Sequence, residues 1–264
     1  MSLHDNQRTG YSSSIGVRLQ NISFAYGQRK IFSQFNLSIS PGQTTAILGP
    51  SGIGKSCLLR ILAGLTRPET GTLLTSDEKS LDGRVAYMDQ RDLLLPWLSV
   101  LNNVDLGTRL RNQRANPGRA KQLIAKVGLS GQENSRPQTL SGGMRQRTAL
   151  ARTLMEDRPL VLMDEPFSAL DAISRHRLQE LAAQLLKHKT VVLVTHDPLE
   201  ALRLADEIVG FSGEPVSPGE AFCPEGQPPR DPYNEAMLKH YGTLMHQLRA
   251  AERSDSVPDD GEVT

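Results

Sequence analysis

Cysteine and tryptophan are almost missing from this chain, which holds two cysteines, Cys57 and Cys223, and one tryptophan, Trp97, in 264 residues. So few thiols exclude a disulfide framework, fit a reducing cytosol and imply no thiol chemistry. An excess of either charge is missing too. Thirty Lys and Arg stand against 29 Asp and Glu, for a net charge of +1, so the balance gives no footprint for nucleic acid or for a polybasic membrane surface. No run approaches the roughly 18 apolar residues that cross a bilayer, and the N-terminus carries no basic-then-apolar leader. If the protein works at a membrane, another chain is expected to take it there. No internal repeat is found. The length suits one large or two small domains with an adequate core.

What is present is organised around Gly49-Pro50-Ser51-Gly52-Ile53-Gly54-Lys55-Ser56, a glycine, four residues, then Gly-Lys-Ser, which is the pattern of a phosphate-binding loop. Apolar Thr45 to Leu48 reads as a buried strand before it, and Cys57 to Ala63 as a helix after it, stopped by Gly64. In that context backbone N–H groups converge on an anion at the positive end of a helix dipole. Lys55 is then expected to hold the β- and γ-phosphates and Ser56 to offer its hydroxyl to Mg²⁺. The nucleotide-binding set expected here is Gly49, Pro50, Ser51, Gly52, Ile53, Gly54, Lys55, Ser56 and Cys57.

Ahead of the loop, residues 1–16 are polar and aperiodic and read as a mobile arm. Val17, Leu19, Ile22 and Phe24, then Phe35, Leu37 and Ile39, alternate up to the Pro41-Gly42 turn, which predicts antiparallel β-structure. Tyr26 at its tip is either a base-stacking ring or a half-buried strand tyrosine. After the loop, the strand Arg84–Met88 ends on Asp89-Gln90, where an amide faces the ligand crevice of an open α/β sheet and Gln90 can reach Mg²⁺ or its waters. Leu93-Leu94-Leu95-Pro96-Trp97 is unusually apolar for a connection, so it either packs within a helical subdomain or lines a partner groove. A helical insertion is expected over about residues 92–155. Within it Ser141-Gly142-Gly143 opens a helix stripped of side chains, a second anion site with Ser141 as N-cap.

Pro159 to Pro166 is a buried strand ending in two carboxylates, which are costly there unless a cation or a reaction uses them. Asp164 is expected to hold Mg²⁺ through its waters, and Glu165 to take the proton of an attacking water. The strand Thr190–Val194 leads to His196, read as a γ-phosphate contact. Beyond Gly213 six prolines, Pro215 to Pro232, read as a linker unable to join the sheet, followed by a helix over Tyr233–Arg253 and an acidic tail. Everything from Pro215 onward is expected to be dispensable for hydrolysis.

With the phosphate loop, Gln90, Leu140-Ser141-Gly142-Gly143, Leu160 to Pro166, Ser168-Ala169-Leu170-Asp171 and His196 in that order, residues 17–212 resemble the ATP-binding subunit of an ABC transporter. The Ser-Gly-Gly element with its trailing Met-Arg-Gln-Arg separates that family from other phosphate-loop enzymes. The resemblance implies a P-loop NTPase core of α/β class: a parallel sheet, an N-terminal antiparallel β-subdomain and a helical signature subdomain. It makes residues 17–213 the ATPase domain and residues 214–264 a C-terminal extension. It also implies that Tyr26 stacks on adenine, that Asp171 is a nucleotide-site residue, and that Lys55, Gln90, Glu165 and His196 form the catalytic set with Mg²⁺ on Ser56, Gln90 and Asp164. The implied assembly is a head-to-tail homodimer in which Ser141 to Gly143 of one chain close over ATP on the other. Its implied partners are membrane permease subunits and an extracytoplasmic solute-binding protein, with the chain peripheral on the cytoplasmic face of the inner membrane. The Leu93 to Trp97 phrase is similar to importers of the nitrate, sulfonate and taurine group, which includes carriers of thiamine-pyrimidine precursors. A soluble ABC-type ATPase acting on nucleic acid is the alternative, and the single motif set and absent basic excess speak against it.

Overall fold

In a computed structural model that describes residues 14–254, the chain forms two sheets that share an apolar interior. Strands β1 (Val17–Tyr26), β2 (Arg29–Ile39) and β4 (Thr70–Thr75) pair antiparallel in the order β2-β1-β4. The inward residues are those whose alternation marks them in the sequence: Val17, Leu19, Ile22, Phe35 and Ile39 are all buried. The second sheet runs β5-β6-β7-β3-β8-β9, with β3 Thr44–Leu48, β5 Val85–Met88, β6 Leu160–Asp164, β7 Thr190–Val194, β8 Glu207–Ser212 and β9 Ser217–Pro218. Strands β5, β6, β7, β3 and β8 are parallel, and only the edge strand β9 is antiparallel. Strands β6 and β7 are buried at every position, as strands covered on both faces must be.

Helix α1 (Lys55–Leu62) follows β3 and packs between the two sheets, with Leu58, Leu59, Ile61 and Leu62 in the same apolar cluster as Phe32, Phe35 and Leu162. Helices α2 (Val100–Val104), α3 (Leu106–Leu110), α4 (Pro117–Lys126) and α5 (Gly142–Met155) lie between β5 and β6 in sequence. Their core residues Val104, Ile124 and Leu150 join α6 (Ala172–Leu186) over the opposite face of the parallel sheet.

The structure corrects two expectations. Residues 1–13 of the arm lie outside the described residues, but its last part is folded: Ile15 is buried in the core and the Gly16 N–H donates to Ser76 Oγ at 3.0 Å. The segment after Gly213 also joins the sheet. Its β9 pairs with β8 through Phe211 and Ser212, Val216 is buried, and the Val216 N–H donates to the Ile31 carbonyl. Proline is tolerated because β9 is an edge strand with one side unpaired. The rest of the segment is fastened by Arg230, which is buried and donates to the carbonyls of Leu202, Ala205, Pro224, Glu225 and Gly226. Helix α8 (Glu235–Ser254) then lays Met237 and Leu244 against β3, β8 and α7 (Pro198–Leu204). Leu248 occupies the space left by Gly210, where a Cβ would stand 2.8 Å from its Cδ2.

Candidate nucleotide-hydrolysis site

Five parallel strands put the polar ends that follow them along one rim, which is where open α/β sheets bind ligands. The loop after β3 requires its glycines. Gly49 and Gly54 have φ of 155° and 123°, and Cβ atoms there would meet the Phe211 carbonyl at 2.8 Å and Ile31 Cγ2 at 2.6 Å. The loop Gly49 to Gly54 therefore closes tightly over the start of α1. Lys55 is folded back into it, its Nζ donating to the carbonyls of Gly49 and Pro50 at 2.7 and 2.8 Å. Burial lowers its pKa, and the nearby Glu165 and Asp164 carboxylates work the other way.

Asp164 ends β6 and is 3% exposed. Burial raises its pKa, the Ser56 hydroxyl beside it lowers it, and the Asp89 and Glu165 carboxylates raise it further. A buried carboxylate with a serine hydroxyl beside it offers hard oxygen donors of the type Mg²⁺ takes while keeping waters and phosphate oxygens as its remaining ligands. The residues fit that ion.

Glu165 stands one residue on in a left-handed backbone conformation, φ 47°, which lifts its side chain out of the strand's alternation. Its Oε2 accepts from Gln90 Nε2 at 3.3 Å, and its Oε1 lies 3.2 Å from His196 Nδ1. Its backbone is pinned as well. The N–H donates to the Val194 carbonyl at 2.9 Å, and the carbonyl accepts from Gln146 Nε2 and Ser168 Oγ, each at 3.0 Å. Gln146 is a site residue that the sequence analysis overlooks. Its buried amide also accepts the Ala169 N–H at 2.8 Å, so α5 clamps the turn from Glu165 to Ala169. The available signal is its place on the inward stripe of α5, four residues before the buried Leu150.

Lys55, Ser56, Gln90, Asp164, Glu165 and His196 therefore converge. Ser141, Gly142, Gly143 and Asp171 do not join them. Ser141 caps α5 by accepting the Met144 N–H at 3.3 Å, and Asp171 caps α6 by accepting the Ser174 N–H at 2.9 Å, a contact that lowers its pKa. The two caps neighbour one another, since a Cβ on Gly143 would lie 3.4 Å from the Ala169 carbonyl. Among the described residues no hydrogen bond or ion pair ties Ser141, Gly142 or Gly143 to the phosphate loop. Tyr26 is 52% exposed, with its ring edge-on to Phe24 at 4.9 Å and 86°. Cys57 is buried, and burial raises that thiol to about 11. Trp97 is 67% exposed and Leu93 49% exposed, whereas Leu94 is buried. Of the two readings of this stretch, core packing holds for Leu94 and not for Trp97.

The sequence profile of the ABC transporter family matches residues 32–168, and the chain belongs to that family as one of its ATP-binding, ATP-hydrolysing subunits. It is 43% identical over 238 residues to an uncharacterised ABC transporter ATP-binding protein of Haemophilus influenzae, covering 88% of this chain and 98% of that one. It is 44% identical to the aliphatic sulfonates import ATP-binding protein SsuB 1 of Rhodococcus jostii (77% of this chain, 82% of that one) and 41% identical to SsuB 2 of Streptomyces avermitilis (94% and 97%). Among solved structures, the dimeric bacterial ABC transporter cassette MJ0796 superposes with a TM-score of 0.71 at 29% identity, covering 80% of this chain and all of that one. The same cassette is also known as a dimer in a post-hydrolysis state bound to ADP and Pi.

Proposed function

We propose that this protein drives import of a small anionic solute, an aliphatic sulfonate before nitrate or taurine, by hydrolysing ATP on behalf of partner permease subunits. The observation that carries the reading is the convergence of Glu165 with Gln90 and His196 beside the phosphate loop. The identity to sulfonate-import relatives over most of the chain supports the solute class. An extracytoplasmic binding protein would deliver the solute, and the chain would sit peripherally on the cytoplasmic face of the membrane. No described helix is long and apolar enough to cross one.

In this reading the loop N–H groups and Lys55 cradle the phosphates, and Ser56 and Asp164 hold Mg²⁺, which offsets phosphate charge when bound. Tyr26 stacks on the adenine. Gln90 and His196 orient the carboxylate of Glu165, which accepts the proton of the attacking water. The exposed Ser141, Gly142 and Asp171, with the half-buried Gly143, complete the site of a second copy, an arrangement that the dimeric relative's likeness supports. The exposed Trp97 and Leu93 form the permease contact. Their loop is held rigid by Asn103, whose side chain accepts the Leu95 N–H at 2.8 Å and donates to the Leu95 carbonyl at 3.2 Å. Arg145 and Arg152 brace the same loop from α5, at Asp92 Oδ2 and at the Asp92 and Leu93 carbonyls.

The test is ATP hydrolysis by the chain reconstituted with its permease and binding protein. Stimulation by an alkanesulfonate supports the reading. Stimulation by nitrate or a pyrimidine alone reassigns the solute, and stimulation of the isolated chain by DNA or RNA replaces the reading with the nucleic-acid alternative.

A further inference from the structure

Glu165 and His196 belong to a closed ring of contacts whose last link is Arg175, a side chain outside the hydrolysis site. From Glu165 the chain turns back on itself. The Ser168 N–H donates to the Glu165 carbonyl and the Leu170 N–H to the Phe167 carbonyl, each at 3.3 Å. Arg175, in the first turn of α6, reaches the end of this turn, its Nη2 donating to the Leu170 carbonyl at 3.1 Å. Its Nη1 lies 4.0 Å from Asp197 Oδ2. Asp197 directly follows His196 and is itself held: its Oδ1 caps α7 by accepting the Leu199 N–H at 2.9 Å, and its N–H donates to Thr195 Oγ1 at 3.1 Å. The ring closes where His196 Nδ1 meets Glu165 Oε1 at 3.2 Å.

We infer that Arg175 is a positioning residue for the His196–Glu165 pair. By holding the Leu170 carbonyl and the Asp197 carboxylate together, it fixes the separation of the two turns from which Glu165 and His196 project. The inference rests on the roles proposed for those two residues in hydrolysis. Strands β6 and β7 set where the turns begin, since Asp164 pairs with Val194, but not where the side chains beyond them point. Glu165 leaves its strand at a φ of 47°, and the His196 side chain is 59% exposed, so packing does little to aim it. Stability does not account for the Arg175–Asp197 pair. Its side chains are 36% and 34% exposed, and an ion pair so open to solvent is screened and contributes little. Two terminal nitrogens of one planar guanidinium serve the two partners at once, a geometry that the single ammonium of lysine does not reproduce.

The experiment compares the full-length chain with Arg175→Met, Arg175→Lys, Asp197→Asn, His196→Ala and the double variant Arg175→Met with His196→Ala. Steady-state MgATP hydrolysis gives kcat and KM. The nucleotide-free proteins give the NMR signal of the His196 ring, assigned by its loss in His196→Ala. Asparagine keeps the helix cap that Asp197 supplies and removes its charge, so Asp197→Asn breaks the ring without touching α6 and decides the matter should Arg175→Met unfold. Arg175→Met is expected to lower kcat about tenfold with KM unchanged, short of the roughly hundredfold that a ~1 Å misplacement can cost. Asp197→Asn should reproduce that loss, Arg175→Lys should recover only part of it, and the His196 ring signal should move in all three. In the His196→Ala background Arg175→Met should cost nothing further, because residues acting through one network are not additive. If His196→Ala hydrolyses ATP as the wild type does, the role of His196 itself is wrong. If His196→Ala is slow and Arg175→Met is not, if the two losses multiply in the double variant, or if the His196 ring signal stays in place, the positioning role is overturned with the site intact.

Discussion

His196 Nδ1 and Glu165 Oε1 lie 3.2 Å apart, although 30 residues, a complete helix among them, separate them in the sequence. Adjacent parallel strands make the meeting possible: Asp164 pairs in register with Val194, so the residues that follow each strand emerge side by side. The contact aims Glu165 from one side while Gln90 aims it from the other. A carboxylate flanked in this way by the Gln90 amide and the His196 ring is placed before the nucleotide arrives, which favours proton acceptance from a positioned water.

Trp97 offers the cleanest probe of the permease contact. Because the side chain is 67% exposed, Trp97→Ala should change the melting temperature little, as surface substitutions usually alter stability by about 0.5 kcal/mol or less. Retention of the permease on co-purification should fall sharply. Undiminished retention and transport would assign the docking surface elsewhere.

The C-terminal segment is expected to be required for folding, which reverses the dispensability that its prolines suggest. Leu244 is 2% exposed, and Leu244→Ala should cost about 2–5 kcal/mol as a buried large-to-small change. Arg230→Ala should be comparably harmful because it strands buried carbonyls. Denaturant melts of the two variants measure this. A chain ended at Gly213 should be poorly soluble, and one that melts and hydrolyses ATP as the full chain does would restore the original expectation.

A pH dependence follows from Glu200, 6% exposed in α7 and bonded to Gln179 Nε2 at 3.2 Å. Burial pushes its carboxyl up to about 7, opposed by contacts with Thr195 and Gln179. An unfolded glutamate titrates near 4.3, so between about pH 4.3 and 7 the folded chain holds a proton that the unfolded chain has released. Stability from this group therefore falls as pH rises through that window, and the loss is complete above the folded pKa. Glu200→Gln keeps the size and the hydrogen bonding and removes the titration. Its stability advantage over the wild type should be near zero at pH 4, about 1 kcal/mol at pH 5 and about 3–4 kcal/mol by pH 8. A difference that stays flat from pH 5 to 8 would show that Glu200 titrates normally.

Local patterns made most of the fold legible. Alternation in β1 and β2, the glycine pattern after β3 and the acids ending β6 each announce themselves within a few residues. What stayed hidden depends on distant partners. Gln146 reads as one polar residue in a helix until Glu165 and Ala169 are brought to it. Arg230 reads as linker because its partners are backbone carbonyls, which carry no side-chain signature. The prolines after Gly213 correctly signal irregular backbone, but irregular backbone can still be fastened at a sheet edge. Ser141 and Asp171 announced themselves in the sequence, yet the nucleotide role proposed for them would lie between two copies of the chain, and a single copy shows only their capping contacts.

The central claim is that Glu165 takes the water's proton at a site completed by a second copy of the chain. Single-turnover hydrolysis of MgATP by Glu165→Gln, with size-exclusion chromatography of the same mixture, tests it most directly. The amide preserves the side chain's size but cannot accept the proton, so the rate should fall about 10²–10⁴-fold while ATP stays bound and the variant elutes as a dimer. Lys55→Ala, the control, should lose ATP and dimer together. Glu165→Gln turning over at the wild-type rate would contradict the proton-acceptor role, and elution as a monomer with ATP bound would contradict the shared site.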